Sequence, residues 1–275
     1  MEVKIIEEKE NILRFLLSGT NHTYANALRR AMIAEVPAMA IEDVIMIENT
    51  SVLYDEVVAH RLGLIPLKTD LDAYVLPEDC DCKSELGCSK CRASFTLEAE
   101  ATGEPVMVYS SDLKPESEVV PVSGNIPIVK LGPAQKLRLE LYARLGRGIE
   151  HAKWQPVCAC AYKYLPKVTL NAENLANPEE VIRICPTKVY VHDPEKKIAV
   201  RDELACTLCM NCVETAVPVD SKKSFPVKVE GDESAFLFYV ESTGALPPRR
   251  VVLEAAKVLE KKATSLNDFV RKGLE

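Results

Sequence analysis

The chain has 275 residues and a net charge of −7, with 34 Lys and Arg residues against 41 Asp and Glu residues. It contains no run of about 18 consecutive apolar residues, which excludes a helix that spans a bilayer. Its 47% apolar and 27% charged content is typical of a folded globular protein. Because an acidic surface repels phosphate, we expect no direct, sequence-specific binding of DNA. The charged N-terminus lacks the apolar core of a signal peptide, so we expect a cytoplasmic protein that does not associate with a membrane.

The first quarter of the chain predicts two strands, a helix, a third strand and a second helix. Alternating residues over 1–18 indicate a strand pair; they are Val3 and Ile5 in the first strand and Ile12, Arg14 and Leu16 in the second. A helix is predicted over 21–34 and a strand over 41–47. A short helix is predicted within 51–65, and it should end at Gly63.

The middle of the chain predicts β-structure around a polar loop at 76–94 that contains four cysteines. Over 94–165 the sequence predicts strands, most clearly at 137–144, where apolar residues alternate with polar ones. The stretch 171–218 predicts short helices and turns, and 225–241 predicts strands again. On the last strand the residues expected on one face are Phe236, Phe238 and Val240, and those on the other are Leu237 and Tyr239.

Two predicted helices carry apolar stripes. The stripe of the first contains Tyr24, Leu28 and Ala31, and leaves Arg29 and Arg30 outside it. A long helix that follows Pro247 and Pro248 carries a second stripe, which includes Leu259, Leu266 and Phe269. Periodicity alone favours the interpretation that both stripes cover the chain's own sheet; an apolar surface for a partner subunit is the alternative.

Ten cysteines in a chain expected in a reducing compartment predict metal ligands rather than disulfides. Cys206, Cys209 and Cys212 have the C-x2-C-x2-C spacing that wraps a loop around an iron–sulfur cluster. The chain contains an internal repeat with an offset of 31 residues. The pattern expects a fourth cysteine at position 216, which is alanine, and the equivalent position in the other copy of the repeat is Cys185, which is followed by proline. The repeat keeps one complete set of four cysteines and lacks the other, which predicts one [4Fe–4S] cluster.

Other occupants remain possible at the cysteines. A structural zinc ion is the alternative in the four thiolates of the predicted cluster, and free thiols are a third interpretation. A second group predicts one structural Zn²⁺ from its C-x-C and C-x2-C spacing; its members are Cys80, Cys82, Cys88 and Cys91. A disulfide or an empty loop is the alternative there. Cys158 and Cys160 are predicted to be small core residues.

No pattern in the sequence marks a catalytic site. P-loop, G-x-G-x-x-G and G-x-S-x-G motifs are absent, and the four histidines form no metal-binding or catalytic array. We therefore predict no catalytic residues in this chain.

The stretch NALRRAMIAEVPAMAIEDVIMIENTSVLYDEVVAHRLGLIPL, at 26–67, closely resembles the core motif of the α-like subunits of RNA polymerase. GRGIEHAKWQPV, at 146–157, resembles a second motif of these subunits. With the cysteine-containing insert at about 166–226, the chain resembles the archaeal branch of this α-like family. That branch is the counterpart of the bacterial α N-terminal domain and of the third-largest eukaryotic subunit, and the resemblance covers nearly the whole chain.

The resemblance implies an α+β fold in three domains. Residues 1–48 and 227–275 would form an α-like dimerization domain, into which a mostly-β domain at 49–165 is inserted. The inserted domain would carry the cysteine loop at 80–91. Residues 166–226 would form a ferredoxin-like iron–sulfur domain.

The resemblance also implies a non-catalytic assembly platform of a multisubunit DNA-dependent RNA polymerase in transcription. The chain would form a heterodimer with subunit L and then assemble with the small subunits N and P and the large catalytic subunits. The apolar stripes of the two helices would then face subunit L, and not only the chain's own sheet as periodicity alone favours. The implied contacts with subunit L are Tyr24, Leu28, Leu259, Leu266 and Phe269. Arg29 and Arg30 match family positions near the second-largest subunit. We also expect no DNA-binding C-terminal domain like that of bacterial α, in line with the acidic charge.

A ferredoxin-like electron carrier, or a subunit of a redox enzyme, is the competing interpretation of the cysteine spacing. The long β-rich stretch that precedes Cys206 has no evident use in a simple carrier, which favours the assembly subunit. In that case the cluster would act as a structural or redox-sensing element of a small domain.

Overall fold

The computed structural model describes residues 1–84, 87–195, 197–220, 222–223 and 225–274, which form a mixed α+β fold as predicted. The α-helices in this part of the chain are His22–Ala34 (α1), Asp55–Gly63 (α2), Pro178–Ile184 (α3), Asn211–Thr215 (α4) and Pro248–Leu274 (α5). The strands are Glu2–Glu8 (β1), Ile12–Ser18 (β2), Pro37–Asn49 (β3), Arg92–Glu100 (β4), Val106–Tyr109 (β5), Lys114–Pro115 (β6), Pro127–Leu131 (β7), Lys136–Arg147 (β8), Val157–Leu170 (β9), Tyr190–Asp193 (β10), Lys197–Val200 (β11) and Val227–Ser242 (β12). Within the described ranges, no helix has the length and apolar character needed to cross a membrane.

Two four-stranded sheets organise the strands. One has the order β1-β2-β12-β9 and the other has the order β3-β8-β4-β6, while β5 pairs with β7 and β10 pairs with β11. The first sheet joins distant parts of the chain, because β2, near the N-terminus, lies beside β12, which precedes the last helix. The chain divides into two compact units, one of residues 1–7, 14–26 and 161–239, and one of the remaining residues.

Strand β8 lies at the centre of its sheet and confirms the predicted alternation. It pairs antiparallel with β3 from Pro37↔Arg147 onward and with β4 from Arg92↔Arg144 onward. Its buried residues are Leu137, Leu139, Leu141, Ala143 and Leu145. A central strand with one covered face keeps this period of two, and for that reason the sequence predicted it correctly.

The residues whose alternation predicts the first strand pair do not form its buried face. The buried residues of β2 are Leu13, Phe15 and Leu17, whereas Ile12, Arg14 and Leu16 are only half-buried and Val3 and Ile5 are exposed. The run ILRFLL has apolar residues in both phases, so alternation alone cannot select the inner face. Contact across the sheet selects it, because the Phe15 ring stacks on Phe238 of β12 with centroids 4.8 Å apart.

Strand β12 also differs from the prediction. Phe236, Phe238 and Val240 are buried as expected, but Leu237 is buried with them. A strand that is covered on both faces keeps apolar residues on both, which a simple alternation misses. The hairpin of β10 and β11, with Tyr190 opposite Val200, was predicted only as helices and turns.

The predicted helices are confirmed with small changes of boundary. Helix α1 begins at His22, and the amide of Tyr24 donates to Oδ1 of Asn21 at 3.0 Å, so Asn21 is the N-cap. Helix α2 ends at Gly63 as expected. Helix α5 begins at Pro248, directly after the first proline of the pair.

Candidate metal centres and partner surface

Two short elements hold the loop of the first cysteine group. A single 3₁₀ turn at Pro77–Asp79 ends at Cys80, and Cys91 directly precedes β4. Both of these cysteines are buried, whereas Cys82 and Cys88 lie nearer to the surface. The two ends of the loop are therefore fixed by the fold, and the two middle ligands close over them.

The four sulfur atoms of this group lie close enough together to bind one metal ion. All four lie within 4.8 Å of one another. Individual Sγ–Sγ distances are 3.7 Å for Cys80–Cys88, 3.8 Å for Cys82–Cys91 and 3.8 Å for Cys88–Cys91. An ideal tetrahedron with Zn–S bonds of about 2.3 Å has sulfurs roughly 3.8 Å apart, whereas a disulfide needs about 2.05 Å. The geometry fits a four-coordinate metal ion and does not fit a disulfide.

The acid–base properties of these thiols also fit a cation. A backbone hydrogen bond from Lys90, together with hydrogen bonds from the other thiols, lowers the pKa of Cys88 to about 7. At Cys80 a backbone hydrogen bond from Cys82 acts to lower the pKa, but the neighbouring thiols and burial outweigh it and raise the pKa to about 12. A bound divalent cation would hold all four as thiolates.

Gly87 closes the turn next to the sulfurs. Its φ of +74° lies in the left-handed region, and a Cβ at this position would stand 3.3 Å from Sγ of Cys91. The amide of Cys88 donates to the same sulfur at 3.1 Å. A side chain at position 87 would combine backbone strain with crowding of a ligand, so glycine is required by the geometry of the loop.

The second cysteine group lies where α3, the hairpin of β10 and β11, and α4 meet. Cys185 directly follows α3, Cys212 lies in α4, and Cys206 and Cys209 lie in the loop before α4. Cys206 and Cys212 are buried and Cys209 is exposed. The surrounding cluster is apolar and includes Leu175, Val181, Val189, Tyr190 and Ile198.

Backbone amides point at two of these sulfurs. The amide of Val189 donates to Sγ of Cys185 at 3.3 Å, and the amide of Leu208 donates to Sγ of Cys206 at 3.5 Å. Leu208 adopts a left-handed backbone, with φ of 58°. Thiolates that accept backbone hydrogen bonds in an apolar pocket are the ligands that an iron–sulfur cluster uses, so the donor set fits such a cluster.

Two side chains complete the surroundings of the second group. The hydroxyl of Tyr190 lies 3.3 Å from Sγ of Cys212. Nζ of Lys163 donates to the carbonyl oxygens of Leu204 at 2.6 Å and Cys206 at 2.5 Å. Lys163 therefore fixes the start of the cysteine loop on β9. Neither residue has a sequence signal that links it to cysteines more than 20 positions away, and neither was predicted as part of the site.

The pKa of Cys212 responds to the other three cysteines of the second group. Burial raises the pKa of Cys212, and the charges of Cys206, Cys185 and Cys209 raise it further, although the hydrogen bond with Tyr190 acts in the opposite direction. Four thiolates in one apolar pocket would repel one another, so the ionised set requires a bound cation or a cationic cluster.

Cys158 and Cys160 belong to neither group. Cys158 is exposed, with Sγ 3.5 Å from the carbonyl oxygen of Glu241, so the prediction that it is a core residue is wrong. Cys160 is half-buried, and burial raises its pKa to about 12 despite the charge of Arg29.

The apolar stripe of α5 is covered only in its first half. Val251 and Ala255 are buried and Leu259 is half-buried. From Glu260 to Gly273 every side chain is exposed, including Leu266 at 64% and Phe269 at 77%. The stripe therefore continues past the point where this chain packs against it.

Helix α1 uses its apolar face mainly inside the chain. Leu28 is 4% exposed and Ala31 is buried, so this burial gives Leu28 a role in the chain's own core, and its contact with a partner stays a prediction. Tyr24 and Arg29 are half-buried and Arg30 is exposed. Beyond α1, the carboxylate of Glu35 pairs with Lys262 of α5.

The second sequence motif, at 146–157, forms a tight charged structure around Trp154. A Cβ on Gly146 would lie 2.4 Å from a ring carbon of Trp154, so the ring needs glycine beneath it. The guanidinium of Arg144 lies over the same ring, and Lys153 pairs with Glu42. The motif thus has a packing role within the chain.

The sequence matches the RNA polymerase Rpb3/Rpb11 dimerisation domain over residues 14–263. The chain belongs to this family. Subunit Rpo3 of the DNA-directed RNA polymerase of Archaeoglobus fulgidus is 41% identical over 274 residues, which cover 98% of this chain and 97% of the relative. Rpo3 of Methanosphaera stadtmanae is 38% identical over 273 residues, with 98% of each chain covered. Subunit rpb3 of RNA polymerase II of Dictyostelium discoideum is 39% identical over 293 residues, with 99% and 96% covered.

Membership of this polymerase family confirms the resemblance drawn from the two sequence motifs. The chain is a non-catalytic assembly subunit of DNA-directed RNA polymerase, as predicted. A dimerisation domain implies a partner subunit within the polymerase. The exposed half of α5 carries apolar side chains, Leu266 and Phe269, that the described part of this chain leaves uncovered.

Proposed function

We propose that this chain is the platform on which its RNA polymerase assembles in the cytoplasm. It pairs with subunit L, and the pair then binds the small subunits N and P and the large subunits. The second-largest subunit contacts the surface that carries Arg29 and Arg30. Nucleotidyl transfer and DNA binding belong to the large subunits.

The exposed half of α5 is the observation that carries this proposal. The stretch from Glu260 onward is about 22 Å long at 1.5 Å per residue, and the rest of the described chain does not cover it. An isolated helix of this length is only marginally stable in water. Leu259, Leu266 and Phe269 continue one stripe along it, which is the pattern of a helix packed against another helix. A partner helix would cover this stripe and stabilise the stretch.

Co-expression with subunit L tests the pairing. We expect one complex with one copy of each subunit in size-exclusion chromatography with light scattering. If the two chains elute separately at micromolar concentration, the assembly proposal is refuted.

We propose one structural Zn²⁺ in the first cysteine group and one [4Fe–4S] cluster in the second. The tetrahedral sulfur spacing supports zinc at Cys80, Cys82, Cys88 and Cys91. The C-x2-C-x2-C spacing and the hydrogen bonds to sulfur support the cluster at Cys185, Cys206, Cys209 and Cys212. When bound, the cluster supplies a cross-link among the small elements of a ferredoxin-like domain at about 166–226. The dimerization domain at 1–48 and 227–275 and the inserted domain at 49–165 complete the proposed partition.

Metal analysis tests both sites. Anaerobically purified chain should contain iron and sulfide in equal amounts near four per chain, and zinc near one per chain. Cys209→Ser should remove iron and the brown colour but keep zinc and the complex with subunit L. Cys158→Ser is the matched control, because Cys158 is an exposed cysteine outside both groups. If Cys209→Ser retains its iron, the ligand assignment is wrong; if it loses subunit L, the domain partition is wrong.

The electron carrier is the weaker candidate. A carrier exchanges electrons through a surface cluster, whereas two of the four proposed ligands are buried here. If the complex with subunit L is stable and keeps its composition in both redox states, the result favours the assembly subunit over the electron carrier.

A further inference from the structure

We infer that Tyr190 tunes the iron–sulfur cluster by donating a hydrogen bond from its hydroxyl to the ligand sulfur of Cys212, which favours the reduced cluster. The inference rests on the proposed [4Fe–4S] site, and it goes beyond that site by assigning a role to a residue that is not a ligand.

The geometry places the donor next to the sulfur in a closed pocket. Tyr190 is the first residue of β10 and is 2% exposed, and its hydroxyl oxygen lies 3.3 Å from Sγ of Cys212, which is also buried. A cluster ligand is a thiolate and has no proton, so it can only accept. The hydroxyl must therefore be the donor in the loaded protein.

The strand that carries Tyr190 is held independently of Cys212. Tyr190 pairs with Val200 in the hairpin of β10 and β11, and the neighbouring Val189 packs in the same apolar cluster. The backbone on both sides of the ring is thus fixed by hydrogen bonds and burial. This fixation keeps the hydroxyl directed at the sulfur instead of at solvent.

A hydrogen bond to a ligand sulfur acts differently on the two oxidation states. Reduction adds one electron to the cluster and increases the negative charge on its sulfurs, so a donor stabilises the reduced form more than the oxidised form. The effect is stronger in an apolar pocket, where little water competes for the sulfur. Removal of the hydroxyl should therefore make reduction less favourable.

Tyr190 is a side-chain donor, so a substitution can remove it, and it lies closer to its sulfur than the hydroxyl of Thr187, which is 3.9 Å from Sγ of Cys185. The backbone amides of Val189 and Leu208 also donate to Cys185 and Cys206, and every residue type except proline would provide them. The donor to Cys212 is a side chain, so the residue type at position 190 decides whether this hydrogen bond forms.

Tyr190→Phe keeps the ring and removes only the hydroxyl. Tyr164→Phe is the matched control, because the Tyr164 ring packs on Phe236 with centroids 5.4 Å apart, in the same compact unit. The full-length, cluster-loaded proteins are titrated electrochemically with redox mediators, and the reduced cluster is followed by electron paramagnetic resonance. Iron content and thermal unfolding are measured on each sample.

We expect Tyr190→Phe to keep its iron and to shift the equilibrium about three- to tenfold toward the oxidised cluster, a potential roughly 30–60 mV lower at 59 mV per tenfold for one electron. Tyr164→Phe should match the wild type. Unchanged potential in Tyr190→Phe with full iron content would overturn the inference. An equal shift in Tyr164→Phe would also overturn it.

A second variant covers the case in which Tyr190→Phe loses its cluster. Site-specific 3-fluorotyrosine at position 190 keeps the ring and hydroxyl and is a stronger donor, so it should raise the potential. A lower or unchanged potential would contradict the tyrosine inference while leaving the cluster proposal intact. Absence of iron and sulfide from the wild-type protein would instead refute the cluster, and the tyrosine inference with it.

Discussion

Truncation of the exposed stripe on α5 should weaken the complex with subunit L without destabilising this chain. The change is the double substitution Leu266→Ala and Phe269→Ala. Both side chains are largely exposed in the chain, at 64% and 77%. Alanine is the best helix former, so the helix itself should persist.

The magnitude follows from the apolar area that a partner would bury. Full burial of a Leu or Phe side chain contributes about 1.5–3 kcal/mol. Scaled by the exposed fractions of Leu266 and Phe269, and reduced for the methyl group that alanine retains, the loss is roughly 2–3 kcal/mol. At about 1.4 kcal/mol per tenfold change, the dissociation constant should rise roughly 30- to 150-fold.

Titration calorimetry with purified subunit L measures the dissociation constant. Leu253→Ala is the matched control, because Leu253 is 54% exposed on the same helix but lies outside the stripe. Urea unfolding of the isolated chain should be unchanged within about 0.5 kcal/mol for all variants. An unchanged dissociation constant for the double variant, or an equal loss for Leu253→Ala, would refute the assignment of this surface.

Three further predictions concern the rest of the molecule. Cys91→Ser should abolish zinc binding, with about one equivalent lost in metal analysis, and iron content should stay unchanged because the two groups are separate. Lys163→Met should speed loss of iron to a chelator, since Lys163 holds the carbonyl of Cys206, and an unchanged rate would show that the loop is held without it. Burial acts to raise the pKa of Glu42, but Lys153 and Arg144 outweigh burial and hold the pKa below its usual value of 4.5. The ionised carboxylate therefore stabilises the fold above pH 4.5, and this contribution is lost as the pH falls through the lowered pKa. Urea midpoints of Glu42→Gln should therefore lie below wild type at neutral pH and approach it in acid, whereas a constant gap would contradict this linkage.

Local patterns predicted most of the elements because each pattern has one physical cause. The alternation on β8 follows from a single covered face, and helix α2 ends at the glycine that the sequence marks, Gly63. The spacing of Cys80, Cys82, Cys88 and Cys91 predicted a tetrahedral thiol site, since all four lie in one short loop whose ends cannot separate far.

Where both phases of a pattern are apolar, the sequence alone could not decide. In β2 the inner face depends on which rings meet across the sheet, as Phe15 and Phe238 do. Exposure of Cys158 depends likewise on its neighbours in space. Such contacts join residues that are far apart in the chain, so no local window contains the information.

The sequence by itself determined the family, the helices with their stripes and the first cysteine set, because these features depend on motifs and on short-range spacing. Only the tertiary structure decided that the stripe of α1 is largely buried within the chain, while the second half of α5 stays exposed. It alone brought Tyr190 and Lys163 to cysteines distant in sequence. The physical reason is that burial is a property of three-dimensional neighbours, and a residue's own sequence context does not specify them.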